Sequence, residues 1–191
     1  MVLRNIFTSF FEKDVKIFSE LKDVRELRDL ILLLAPRNGN ILDISRLSSE
    51  LGINRVKFYN YLEFLQGIFF LKLIPKYSKS IDKSIAGGRK VYFSDTGILN
   101  MVARVNEGQL LETAVANQLA AYGDLSYFNK RNTAEIDFIL NKEIAFEVKT
   151  KAIESDVSKL TRLAGELNLA DYYVLSRKFV KGNRIIFPHF L

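Results

Sequence analysis

The chain has 191 residues, 48% of them apolar, enough for one medium or two small domains with cores of their own, which excludes a disordered or collagen-like protein. Twenty-eight Lys and Arg against twenty-two Asp and Glu leave a formal net charge of +6, a balance that leans toward a polyanionic partner. With no cysteine and one histidine, His189, the chain offers no disulfide, thiolate zinc site or His-rich metal site, so any metal must be held by carboxylates.

The longest apolar runs, such as residues 30–35 and 68–71, fall far below the roughly 18 residues that span a bilayer. No cationic leader precedes an apolar segment, and the expectation is a cytoplasmic protein without membrane association. Residues 1–21 carry Ile6, Phe7, Phe10, Phe11, Val15, Ile17 and Phe18 in a partly helical pattern, read as a helical lead-in. Over residues 22–35, Val24, Leu27, Leu30, Ile31 and Leu34 share one helical face, and Pro36 and Gly39 end the helix. Asp43 caps a second helix with Ile44, Leu47 and Leu51 inward; Gly52 makes a turn; Asn54 caps a third helix reaching about Gln66.

Two short helices joined through a glycine are the helix-turn-helix pattern, and the later helix offers Arg55, Lys57, Asn60 and Tyr61 to a nucleic-acid groove. A strand at 68–74, a basic loop and a returning strand at 91–93 complete the order of a winged helix over residues 22–98. Up to Ile98 the chain has sixteen basic and eleven acidic residues, against twelve and eleven after it. Lys72, Lys76, Lys79, Lys83, Arg89 and Lys90 face only Asp82, so one short segment holds most of the excess, either as a solvated loop or as a phosphate-contacting wing.

Residues 99–191 read as a mixed α/β domain. A helix is predicted at 110–122, strands at 125–129, 134–140 and 143–150, a helix at 156–167, and strands at 172–176 and 184–187. Alternation along the 134–140 strand puts Ile136, Phe138 and Leu140 on one face and Glu135, Asp137 and Ile139 on the other. In the next strand Glu147 and Lys149 share a face with Ala145, and a hairpin through Asn141 and Lys142 brings Asp137 toward Glu147. Glu112 falls on the otherwise apolar stripe of Val115, Ala116 and Leu119, and an acid facing a core needs a partner.

Adjacent carboxylates repel at neutral pH unless a proton, an ammonium or a divalent ion compensates them, and hard oxygen ligands suit Mg²⁺ or Mn²⁺. Such an ion with a lysine beside it is equipment for phosphodiester hydrolysis. The plain alternative is a half-exposed strand with ordinary polar positions and Glu112 in a salt bridge. Glu135 ranks behind the other acids as an outer ligand, His189 receives no role, and Tyr127 and Phe128 are expected to pack against the sheet.

Asp137, followed by Glu147, Val148 and Lys149, resembles the PD-(D/E)XK nuclease superfamily, whose helix acid Glu112 matches. More narrowly, the segments Gly108-Gln109-Leu110-Leu111-Glu112, Glu135-Ile136-Asp137-Phe138, Phe146-Glu147-Val148-Lys149 and Val91-Tyr92-Phe93-Ser94-Asp95-Thr96-Gly97 resemble the C-terminal domain of archaeal and bacterial AAA+-type ATPases. The likeness runs from about residue 22 to the end. It implies a winged helix followed by a restriction-endonuclease-like domain, with Asp137, Glu147 and Glu112 as metal ligands and Lys149 as the lysine of the catalytic set. It also implies DNA and an ATPase module or subunit as partners. The chain contains no G-x-x-x-x-G-K-[ST], since Gly87-Gly88-Arg89-Lys90 lacks its spacing and hydroxyl residue, so the expectation is a remnant of such an ATPase or its C-terminal part. Three readings stay open: a Mg²⁺-dependent nuclease, a non-catalytic DNA-binding or protein-interaction module, and a winged-helix transcription regulator.

Overall fold

The computed structural model describes residues 24–78, 80, 88–130 and 134–188, so the 1–21 lead-in, Lys79, Lys83 and His189 lie outside the described residues. The chain divides into two compact units, Met1–Leu73 with Val91–Val105, and Ile74–Lys90 with Asn106–Leu191. Both are built from helices and strands, as the patterning requires of a mixed α/β chain.

In the helical unit, α1 (Val24–Leu34) buries Leu27, Leu30, Ile31 and Leu34, the three-and-four spacing that puts residues on one side of a helix. A short 3-10 turn containing Pro36 ends it. The Asp43 carboxylate accepts the Arg46 amide at 3.1 Å and starts α2 (Ile44–Glu50). Gly52 turns the chain at φ +67°, a conformation that costs glycine little. The Asn54 side chain accepts the Lys57 amide at 2.9 Å and starts α3 (Arg55–Gly67), which buries Phe58, Tyr61, Leu62 and Leu65. The strands β1 (Leu71–Pro75) and β2 (Arg89–Phe93), whose residues are divided between the two units, pair in a two-stranded sheet. The loop after α1 is stitched to β2: the Gly39 amide donates to the Val91 carbonyl at 2.8 Å and the Phe93 amide to the Asn38 side chain at 2.9 Å. A helix that periodicity leaves unassigned, α4 (Thr96–Val102), follows; two turns are too short to show a period, and only the Asp95 cap on the Ile98 amide marks it.

In the sheet unit, α5 (Glu107–Leu119) begins with a reciprocal capping box between Asn106 and Gln109 and buries Thr113, Val115, Ala116 and Leu119. Five strands follow in spatial and chain order alike: β3 (Leu125–Lys130), β4 (Ala134–Leu140), β5 (Ile144–Lys149), β6 (Asp171–Ser176) and β7 (Ile185–Ile186). The first three are antiparallel, while β5–β6 and β6–β7 are parallel. The expected tight turn joins β4 to β5: Asn141 and Lys142 both take positive φ, and the Glu143 amide closes on the Leu140 carbonyl at 2.9 Å. The parallel step needs a crossover, supplied by α6 (Glu154–Leu167), whose Leu160 and Leu163 pack with Ile136, Ile139, Ala145, Ala152 and Val174.

Candidate functional site

One irregularity in β4 positions the acids. Ser126 pairs with Ile139, but Phe128 pairs with Ile136, so Asp137 and Phe138 together oppose Tyr127. This β-bulge adds one residue to β4, and beyond it the faces change over. Strict alternation predicts Ile136 and Ile139 on opposite faces; the structure corrects that, packing both into the α6 cluster. The β4–β5 register runs only from Leu140 opposite Ile144 to Phe138 opposite Phe146. At the next step, where Asp137 and Glu147 would face each other, the Asp137 Oδ2 accepts the Val148 amide at 2.8 Å in place of a strand hydrogen bond.

Around this fork the sheet unit gathers four acids and three lysines. Glu147 is 5% exposed; its Oε1 takes the Lys149 ammonium at 2.7 Å and the Lys159 ammonium, from α6, at 3.7 Å. Its Oε2 is buried with no hydrogen-bond partner, the single such side-chain atom among the described residues. Lys90 is 4% exposed, with its Nζ 2.6 Å from Glu135 Oε1, 4.0 Å from Glu112 Oε1 and 5.3 Å from the centre of the Tyr127 ring.

The electrostatics tie these groups together. Burial, then the nearby charges of Glu147 and Glu112, push the Asp137 carboxyl up to about 8, opposed by Lys90 and the Val148 amide. Burial works against the charged forms of Lys90 and Lys149. It is outweighed by Glu112, Asp137 and Glu135 around Lys90, and by Glu147, Asp137 and Asp156 around Lys149, so both ammonium groups titrate above the usual lysine range. Tyr127 is raised to about 12 by burial and the Glu135 charge. Glu112, Asp137, Glu147 and Lys149, singled out in the sequence, therefore share one electrostatic neighbourhood. Among the described residues, no three His, Cys, Asp or Glu side chains stand close enough to form a preassembled cation cage. Lys149 and Lys159 take Glu147 Oε1, and Lys90 takes Glu135 Oε1 and stands 4.0 Å from Glu112 Oε1.

Two members of the cluster were not legible as such. Lys159 falls on the outer side of α6 by sequence, and no local signal separates it from a solvated lysine. Lys90 reads as the end of a basic loop, yet its place in β2 buries it among acids instead of on a nucleic-acid surface.

The remaining expected nucleic-acid residues are dispersed in character. Arg55 and Asn60 are exposed on α3, Arg89 is exposed, and Lys76 is half-buried in a bridge to Tyr127. Lys57 forms an ion pair with Glu26 and lies over the Tyr61 ring at 5.7 Å. Tyr61 is buried and donates its hydroxyl to Glu26 at 2.8 Å, so it is a core residue rather than a surface contact. Tyr127 and Phe128 do pack in the sheet unit, Phe128 against the α6 cluster.

Comparison with known proteins places this chain in a family. Residues 1–109 match the domain of unknown function DUF8612, more than half the chain, and the chain belongs to that family. Residues 107–181 are similar to a second domain of unknown function, DUF4143. The chain is 26% identical over 170 residues to an uncharacterized protein of Haemophilus influenzae, covering 81% of this chain and 42% of that protein. It is 23% identical over 183 residues to one of Methanocaldococcus jannaschii, covering 88% and 41%. The chain thus spans under half the length of these curated relatives. No solved structure matches. Among the described residues no helix is long and apolar enough to cross a membrane.

Proposed function

We propose that this DUF8612 member binds DNA through a winged helix and hydrolyses phosphodiester bonds at a Mg²⁺- or Mn²⁺-dependent PD-(D/E)XK-like site made by Glu112, Asp137, Glu147 and Lys149. The observation that carries the reading is Glu147 Oε2, a buried carboxylate oxygen with no partner, on a strand whose neighbour holds Asp137. An unsatisfied buried polar atom is costly unless something else satisfies it, and a hard divalent ion is the complement of a carboxylate set. Asp137, Glu147 and Glu112 would hold the ion, which would supply charge neutralisation at the phosphate and a more acidic water.

The chain's own groups account for the rest. The Val148 amide anchors Asp137 so that its other oxygen is directed by the backbone. Lys149 is held by Glu147 and is about one-third exposed, placing an ammonium where it would orient a water or offset developing negative charge. Exposed Arg55, Asn60 and Arg89 would contact phosphates. A specific observation favours a second reading, a protein-interaction module: the outward side of α3 also carries Val56, 69% exposed, and Tyr59, 51% exposed.

The test is nicking of supercoiled plasmid and of branched duplex by the pure chain with Mg²⁺. Asp137→Asn and Lys149→Met should each lower the rate by about a hundredfold or more. Nicking that is unchanged in both variants would overturn the assignment, and salt-sensitive DNA binding without nicking would move the weight to a non-catalytic module.

A further inference from the structure

The connection from β6 to β7 takes no part in the acid and lysine cluster, yet it is fastened to the end of the sheet where Lys149 stands. The Arg177 amide donates to the Lys149 carbonyl at 3.1 Å and the Lys178 amide to the Thr150 carbonyl at 3.0 Å. The Ser176 hydroxyl donates to the Lys178 carbonyl at 2.7 Å and accepts the Ala152 amide at 3.0 Å. Arg177 pairs with Glu107 in the first turn of α5, the helix that carries Glu112. Residues 177–187 contain Arg177, Lys178, Lys181 and Arg184 and no acid. Arg177 and Arg184 are committed to Glu107 and Asp171, whereas Lys178 and Lys181 are exposed and, among the described residues, in no ion pair. Between these two lysines in the chain comes Phe179, 75% exposed, its ring stacked on Phe187 with centres 5.7 Å apart. A fastened loop that presents a bare aromatic ring between open ammonium groups meets both needs of an unpaired nucleotide, a π-face for the base and cations for the phosphates. A continuous duplex keeps its bases stacked on one another and has none to offer the ring. An apolar protein surface would cover the ring but strip water from the lysines without replacing it, a cost that a polyanion avoids.

We propose that Phe179 is a stacking platform for an unpaired base, with Lys178 and Lys181 on the flanking phosphates, and that the site therefore takes nucleic acid with a single-stranded segment, such as a flap, fork or gap. What is done to that strand rests on the hydrolytic reading above; its seating is a property of the loop. Phe179 comes two residues after Arg177, whose amide is bonded to Lys149, and two residues of chain reach at most about 7 Å. A strand seated on the ring thus passes the end of β5 within a few nucleotides.

Fluorescence anisotropy of labelled oligothymidylate and of a blunt duplex of equal length, with the full chain in EDTA so that no strand is cut, tests the seating apart from hydrolysis. Phe179→Ala should weaken oligothymidylate binding by about tenfold and leave duplex binding within about twofold of the parent. The chain contains no tryptophan, so Phe179→Trp supplies a single emitter at the platform. Its emission should be quenched by unlabelled oligothymidylate and not by the duplex. Absence of oligothymidylate binding by the parent, an equal loss on both ligands in Phe179→Ala, unchanged oligothymidylate affinity in that variant, or a bound complex with unquenched tryptophan would each overturn the proposal. Metal-dependent nicking by the parent beside any of those results leaves the hydrolytic reading standing without the platform. Selective loss and quenching in a chain that does not nick keep the platform and remove the hydrolytic reading.

Discussion

Among the described residues both units carry ion pairs near the surface, and the sheet unit in addition draws charged groups into its interior. In the helical unit the charged groups close on one another near the surface: Glu50 takes both Arg37 at 3.0 Å and Arg46 at 2.9 Å, and Glu26 takes Lys57 and the Tyr61 hydroxyl. The Glu26 contacts tie α1 to α3, the Arg37–Glu50 pair ties the 3-10 turn to α2, and Arg46–Glu50 lies within α2; exposed pairs of this kind contribute little. In the sheet unit four acids and three lysines are drawn in around a strand fork, and one carboxylate oxygen is left without a partner. Drawing charged groups into a protein interior opposes folding unless their partners compensate them. Local rules are commonly broken in this manner where a site needs reactive groups, and under the proposed function the contrast would separate a docking unit from a chemical one.

The largest effect that could break this contrast is pH-dependent stability. Asp137 holds its proton up to about 8, whereas in the unfolded chain it releases it near the ordinary carboxyl value. Between roughly pH 4 and 8 the folded state therefore binds the extra proton, and stability falls as pH rises across that window, flattening above it. The slope is bounded by about 1.4 kcal/mol per pH unit, the limit for a single proton. Urea midpoints at several pH values should show this slope in the parent and lose it in Asp137→Asn. In the helical unit, burial and Glu26 raise Tyr61 to about 12, so that hydroxyl contributes nothing to the window. An equal slope in the parent and Asp137→Asn would mean that the sheet unit's charge is as well closed as the helical unit's.

Next in size is a pair of glycines. Gly123 lies at φ +153°, and a Cβ there would collide with the Asn141 side chain, whose Oδ1 accepts the Asp124 amide at 2.9 Å beside the β4–β5 turn. Gly52 lies at φ +67° with open space around its Cβ position. Gly123→Ala should cost about 2–3 kcal/mol, combining backbone strain with a displaced hydrogen bond, and Gly52→Ala about 1 kcal/mol, from strain alone. Comparable thermal shifts for the two variants would contradict the geometry at Asn141.

The smallest expected effect sharpens the docking side. Arg55→Gln should weaken DNA binding similarly on unrelated sequences and reduce the dependence of log affinity on log salt by about one. Loss on one sequence alone would recast Arg55 as a base reader. No change would shift attention to Val56 and Tyr59 as a protein-contacting surface.

Much of the local architecture was legible from residues close together in the chain. Asp43 and Asn54 start helices because a short acceptor next to free amides works within three residues, whatever the rest of the protein does. The Asn141-Lys142 turn and the strands on each side of it follow from the same short-range rules. The four residues of the acid and lysine motif were named from alternation and spacing, and they do share one neighbourhood.

What only the tertiary structure decided is how those residues face one another. The bulge at Asp137 and Phe138 is set by register against β3, a segment separated from β4 in sequence, and it reverses the faces that alternation assigns. Lys90 is surface-like by composition and becomes interior because Glu112, Glu135 and Tyr127 arrive from three other elements to enclose it. Caps and turns depend on neighbours a few bonds away, which the chain itself specifies. Burial and charge environment are sums over distant segments, and those are settled only when the sheet and its helices close.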